Sequence, residues 1–212
     1  MLSRRLGLRL TSLACFVLSV SLTATAGEYN PVLSIGDKAP TWKDLPGVDG
    51  KKHALSDLKD KQAIVLVFTC NSCPYAVDYE GRIMAFVKKH AGPKSKVALI
   101  AINVNKVEED LLPAMKKRAK SEKFNFPYLY DETQQIGKAY GAGYTPEFFV
   151  LDAKRRIVYM GAMDDATDPS KVKIDYVTTA VTAALAGQAP KTTETVPIGC
   201  RVRYERRRRK KP

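Results

Sequence analysis

The sequence predicts an α/β fold in which a central sheet lies between helices on both faces. Three observations predict it. Ala63 to Phe68 ("AIVLVF") is a continuous apolar, largely β-branched run, the mark of a strand buried on both faces. "KVALIAINV" (96–104) is a second such run, and apolar residues at helical spacing lie between the two. Consecutive strand–helix–strand units imply parallel pairing, with the connecting helices packed on the sheet.

Each element follows in order. Residues 27–60 are rich in turn formers ("IGDKAP", "LPGVDGKKH", "LSDLKD") and read as a loop or hairpin leading into the core. After the first buried strand, Tyr75, Tyr79, Ile83, Phe86 and Val87 recur at helical spacing until Ala91-Gly92-Pro93 stops the helix. Residues 106–122 are mostly helical, with Pro113 an expected irregularity. "FPYLYD" (126–131) gives a short strand and "TQQIGKAYG" (133–141) a short helix stopped at Gly141. "EFFVLD" and "RIVYMGA" form a hairpin around Ala153-Lys154-Arg155. A closing helix runs from about Lys173 to Ala186, with Tyr176, Val177, Val181 and Leu185 on one face. No internal repeat interrupts this order.

A chain of 212 residues suits one domain with appendages. Its net charge of +13 suggests nucleic acid until it is located. Arg4, Arg5 and Arg9 carry +3 in an acid-free start, residues 201–212 carry +7, and the body between them only +3. The start has basic residues, an apolar run from Leu10 to Leu22, then Ala24-Thr25-Ala26. That is the order of a secretory signal, with cleavage expected after Ala26. A run of thirteen residues is too short to span ~30 Å of hydrocarbon, which disfavours a permanent membrane helix. The expected organisation is a signal peptide over 1–26, a domain over 27–200 and a basic tail over 201–212. The tail "RVRYERRRRKKP" reads as a solvated end, with contact to an anionic surface as the alternative. The protein is expected to be exported, periplasmic or otherwise extracytoplasmic, and nucleic acid is not an expected partner.

Of four cysteines, Cys15 leaves with the signal, so Cys70, Cys73 and Cys200 remain. That count makes no disulfide scaffold; one close pair plus an odd thiol points to chemistry at the pair. Cys70 and Cys73, in "FTCNSCPY", stand where the strand ends and a helix begins, near enough for a disulfide. Backbone N–H groups at a helix start stabilise a thiolate. This makes Cys70 the expected exposed, low-pKa nucleophile and Cys73, one turn deeper, the resolving thiol. A zinc site and a static clip are the competing readings. Zinc would need further donors, and only Cys200, His53 and His90 remain. A clip across so short a loop would remove little chain entropy. Cys200 has three readings: a third thiol near the pair, an intermolecular bridge, or a small buried hydrophobe.

At these residues the sequence resembles the thioredoxin superfamily, in its Cys-x-x-Cys unit and in "TPEFFVLDAKRRIVYMGA". "IGDKAPTW", "FPYLYDETQQIGKAYGA" and the late "GC" resemble its redoxin branch more narrowly. That branch holds the alkyl hydroperoxide reductase/thiol-specific antioxidant proteins and peroxiredoxin-like thioredoxin family proteins. The resemblance covers about residues 35–200. It implies a thioredoxin fold, three layers with a central mixed sheet and helices on both faces, behind an N-terminal redoxin-type extension. It implies that Cys70 and Cys73 are the redox pair. It also implies that Pro146 is a cis-proline facing the pair, with Thr145 offering its backbone to an extended substrate. Thr69 stands where a thioredoxin has Trp. Cys70 replaces the Thr of a peroxidatic site, and no arginine stands beside Thr145-Pro146, which leaves a peroxide site incomplete.

The function so implied is an exported thiol–disulfide oxidoreductase acting on thiol- or disulfide-containing proteins or small molecules, with an electron donor or acceptor as its other partner. No cofactor and no metal are expected. The alternatives are a peroxiredoxin-like thiol peroxidase using the same cysteines, and a non-catalytic metal-binding module.

Overall fold

A computed structural model describes residues 27–205; the expected signal peptide and the basic run 206–212 lie outside the described residues. The lead-in forms a small antiparallel hairpin, β1 (Leu45–Pro46) with β2 (Lys52–His53), and then a 3-10 turn over Leu55–Leu58. It closes one face of the sheet through Leu33, Ala39, Trp42, Leu45 and Leu55.

The central strand β3 (Ala63–Phe68) is wholly buried. Alternation sends Ala63, Val65 and Val67 into one apolar cluster and Ile64, Leu66 and Phe68 into the other. Burying each large aliphatic side chain contributes about 1.5–3 kcal/mol, so this run anchors both halves of the core. Helix α1 (Pro74–His90) then crosses to β4 (Val97–Asn103), which pairs parallel to β3. Tyr79, Ile83, Phe86 and Val87 of α1 face the sheet as expected, but Tyr75 is 43% exposed. Ala76 takes the inward position of that first turn instead.

Beyond β4, a 3-10 turn over Glu108–Asp110 leads to α2 (Leu112–Ser121). Pro113 sits in the first turn of α2, where its fixed φ and missing N–H do no harm, and so marks a helix start rather than an interior irregularity. Strand β5 (Tyr128–Tyr130) extends the sheet parallel to β4. Helix α3 (Gln135–Ala139) begins on the Asp131 carboxylate, which accepts from the Ile136 and Gly137 N–H groups at 2.8 and 3.0 Å. It ends at Gly141, whose φ of +65° favours glycine.

Two residues of β6 (Tyr144–Thr145) precede β7 (Glu147–Leu151) and β8 (Ile157–Gly161). The last two form the expected hairpin, antiparallel to β3 through β7, so the five-stranded sheet is mixed in the order β5-β4-β3-β7-β8. Helix α4 (Tyr176–Leu185) starts three residues later than periodicity suggests, because Asp175 caps it by accepting from the Thr178 N–H at 2.8 Å. Its buried face is Val177, Ala180, Val181 and Ala184; Leu185 is 42% exposed, in the last turn. Helices α1 and α4 pack on one face of the sheet, and the other carries the lead-in with Ile136 of α3.

The chain end differs from a tail that starts at 201. Strand β9 (Cys200–Arg201) pairs antiparallel with β6, Val202 and Tyr204 pack on the lead-in face of the core, and the Tyr204 hydroxyl donates to the Ala142 carbonyl at 2.7 Å. Composition alone hid this. Val202 and Tyr204 alternate with arginines, and the apolar half of the alternation is what packs.

Candidate active site

Strand β3 delivers the cysteine segment to the C-terminal end of the sheet, and the Thr69 N–H still pairs with the Ile102 carbonyl. The four residues Cys70 to Cys73 then turn before the 17-residue helix α1 begins at Pro74. One buried carboxylate organises this turn. Asp110 accepts from the Asn71 N–H at 2.7 Å, the Ser72 N–H at 2.9 Å, the Ser72 hydroxyl at 2.6 Å and the Asn105 amide at 3.1 Å. The Tyr128 hydroxyl donates to the Asn71 side-chain oxygen, and the Asn71 amide donates to the Glu109 carbonyl. Nothing in the sequence marks Asp110, since it follows Glu108 and Glu109 in what reads as a solvated acidic turn.

The Thr145–Pro146 peptide bond is cis and lies against the two sulfurs. Cys73 Sγ is 3.1 Å from the Thr145 carbonyl oxygen, and Cys70 Sγ is 3.4 Å from Thr145 Oγ1. Cys70, Cys73 and Ala76 form one buried cluster with the half-buried Cys200 packed against it. All three cysteines are free thiols. The structure therefore brings Cys70, Cys73, Thr145, Pro146 and Cys200 together.

It does not distribute the thiols as expected. Cys70 is only 2% exposed and does not stand at the helix start; Cys73, 3% exposed, is the N-cap residue of α1. The two-residue extension beyond β3 falls short of the helix, so the helix-start argument passes to the second cysteine. The Cys73 thiol is brought down to about 4, first by the hydrogen bond from Cys70 and then by donors that include Cys200 and the Ala76 N–H. Cys70 is pushed up by the proton it shares with Cys73, by burial and by the Asp110 carboxylate. The Thr145 carbonyl opposes this assignment, because a thiol and not a thiolate suits that contact. The N-cap position of Cys73, at the positive end of α1, sets the direction, with the charge on Cys73. Cys200 is raised to about 11 by burial and by its hydrogen bond to Cys73.

Glu147, beside the cis bond, is 3% exposed and accepts from the Gly143 and Tyr144 N–H groups at 2.7 and 2.9 Å, which holds the β6 loop. Burial raises its carboxyl to about 7. His53 pairs with Asp49 and His90 ends α1, so neither joins the cysteines. Among the described residues, no group of three or more His, Cys, Asp or Glu is arranged to hold a metal ion. A groove of about 1280 Å³ lies elsewhere, at the lead-in between Trp42, Leu55, Ile136 and Arg155.

Several known proteins are similar to this chain. The family model described as AhpC/TSA family matches residues 35–160. A thiol-disulfide oxidoreductase ResA of Geobacillus thermodenitrificans (strain NG80-2) is 23% identical over 160 residues, covering 73% of this chain and 85% of that relative. The crystal structure of a hypothetical protein from Sinorhizobium meliloti 1021 superposes with a TM-score of 0.74 at 34% identity, covering 83% of this chain and 97% of that one. A thiol:disulfide interchange protein of the thioredoxin family from Chlorobium tepidum TLS superposes with a TM-score of 0.52 at 21% identity, covering 63% and 90%. That last likeness concerns the fold alone, which is the thioredoxin fold.

Proposed function

Because the chain belongs to the AhpC/TSA family, we propose that it is a thiol–disulfide oxidoreductase whose Cys70–Cys73 pair exchanges electrons with the disulfides or thiols of proteins or small molecules. One observation carries the reading: two thiols share a buried cluster at the start of α1, both within reach of Thr145. The ResA relative supports the reaction class.

In the reducing direction, the Cys73 thiolate attacks one sulfur of a substrate disulfide, forming a mixed disulfide and releasing a substrate thiolate. With the charge on Cys73 consumed, Cys70 loses its proton to the departing thiolate and attacks Cys73. The second substrate sulfur leaves as a thiolate and the Cys70–Cys73 disulfide closes. Two electrons and the one Cys70 proton pass to the substrate, and the second thiolate takes its proton from water. The oxidising direction is the reverse, and the reduction potential selects between them. We further propose that residues 1–26 direct export and are then cleaved, and that residues 206–212 add contact with anionic surfaces.

The test uses a Cys200→Ser background, so that only the pair can react. There, Cys70→Ser traps substrate on Cys73, while Cys73→Ser exchanges at least about 100-fold more slowly, because the remaining thiol is mostly protonated. Mass analysis after reaction with a small disulfide reads both. Trapping on Cys70 instead would reverse the roles, and equal activity of both variants would end the proposal.

A further inference from the structure

Substrate exchange at Cys70 or Cys73 meets an obstacle, because the two residues are 2% and 3% exposed. What covers them is the chain itself. β9 pairs along β6 with Cys200 opposite Thr145 and Arg201 opposite Tyr144, so the backbone edge beside the cysteines is already occupied. The approach is close enough to demand glycine at 199: a Cβ there would lie 2.1 Å from the Thr145 carbonyl oxygen. Four further contacts hold the segment. Val202 N–H donates to Gly143, Arg203 N–H to the Asn105 side chain, Glu205 N–H to the Gln134 side chain, and Gln134 donates back to the Arg203 carbonyl. Cys200 is thus seated, and it remains partly exposed.

We propose that Cys200 is the third working thiol of the site, taking the disulfide over from the buried pair and presenting it to thiols at the surface. This rests on the oxidoreductase reading above. The position suits the chemistry. Cys200 packs against the Cys70–Cys73–Ala76 cluster, and it stands opposite Thr145, whose carbonyl oxygen lies 3.1 Å from Cys73 Sγ. While Cys73 is a thiolate, its charge holds the proton on Cys200. Once Cys70–Cys73 is oxidised that charge is gone, and Cys200 ionises more readily.

The step balances within the chain. The Cys200 thiolate attacks Cys73, the Cys70–Cys73 bond breaks and the Cys73–Cys200 bond forms. Cys70 leaves as a thiolate and takes up the proton that Cys200 gave up. No outside oxidant or reductant takes part. An external thiol, small or protein-borne, then attacks Cys200 and frees Cys73. A second external thiol completes the reduction. Run backwards, the same steps carry electrons outward from the pair, through Cys200, to a substrate disulfide engaged there.

The experiment uses the described chain with one equivalent of a small disulfide, quenched by alkylation and mapped by non-reducing peptide mass analysis. Wild type should give both Cys70–Cys73 and Cys73–Cys200 links. In Cys70→Ser, the adduct on Cys73 should be replaced by a Cys73–Cys200 link, and adding Cys200→Ser should restore the adduct. Gly199→Ala keeps all three thiols but displaces β9. It should still form Cys70–Cys73 while its Cys73–Cys200 yield falls about tenfold, a loss of ~1.4 kcal/mol in the exchange equilibrium. A persistent adduct in Cys70→Ser with Cys200 fully alkylated would overturn the inference, as would an undiminished link in Gly199→Ala. Either result leaves the oxidoreductase reading intact if wild type still cycles Cys70–Cys73. A wild type that forms no Cys70–Cys73 link defeats that reading itself.

Discussion

Replacing Asp110 should loosen the redox turn more than any exposed acid nearby. The carboxylate is fully buried and collects four donors, two of them the backbone N–H groups of Asn71 and Ser72. Leaving a buried donor without a partner costs about 1–3 kcal/mol. Asp110→Ala strands both backbone groups, while the Ser72 hydroxyl can turn toward other partners, so a loss of about 3 kcal/mol is expected. With a urea m-value of about 1–3 kcal/mol per molar, that moves the unfolding midpoint down by about 1–3 M. Asp110→Asn separates geometry from charge. Its one carbonyl oxygen can keep both backbone N–H groups, so its stability cost should be about 1 kcal/mol. The charge that pushes the Cys70 thiol up is nevertheless gone. The thiolate form of the reduced pair is then favoured, and the pair becomes a stronger oxidant, by about 30 mV for each ~1.4 kcal/mol. Urea unfolding of the reduced proteins and glutathione equilibration measure the two effects. An Asp110→Ala protein within about 0.5 kcal/mol of wild type would refute the reasoning, because that is the range of an ordinary surface change.

Three more outcomes follow from the same structure. Burial holds the Glu147 carboxyl near 7, above its ordinary 4.5, so protonation favours the folded state: this contribution is present below about pH 4.5 and lost as pH rises through 7. Wild type should lose up to ~3 kcal/mol between pH 5 and 8 relative to Glu147→Gln, checked by urea titration at both pH values. Peroxide should oxidise the reduced protein more slowly than a small disulfide does, since Cys70 stands where a peroxidatic site has Thr; timed alkylation quenches read by mass compare the two rates. Deleting residues 206–212 removes six positive charges and should weaken salt-sensitive retention on an anionic resin, leaving disulfide turnover unchanged.

Elements with strong patterns were legible in the sequence. The runs Ala63–Phe68 and Val97–Ile102 are apolar throughout and read as buried strands, and the cysteine spacing put both thiols at one strand–helix junction. The failures share a cause: long-range contacts that local pattern does not encode. Which cysteine caps α1 depends on a three-residue difference in where the helix starts, finer than periodicity resolves. Asp110 acquires its role only when the turn after β4 folds back beneath Asn71 and Ser72. Arg201 and Arg203 read as tail because charge dominates their composition, whereas Gly199, Cys200, Val202 and Tyr204 between them make the contacts that tie the segment down.

The central claim is that Cys70 and Cys73 form a reversible redox couple. Equilibrating the reduced chain across a series of glutathione buffers, with alkylation and peptide mapping at each point, tests it most directly. The account predicts a two-electron transition, with slope set by ~30 mV per tenfold change in the equilibrium constant, in which a Cys70–Cys73 link appears and disappears reversibly. Cysteines that stay alkylatable across the whole series, or that end only as separate glutathione adducts, would contradict it.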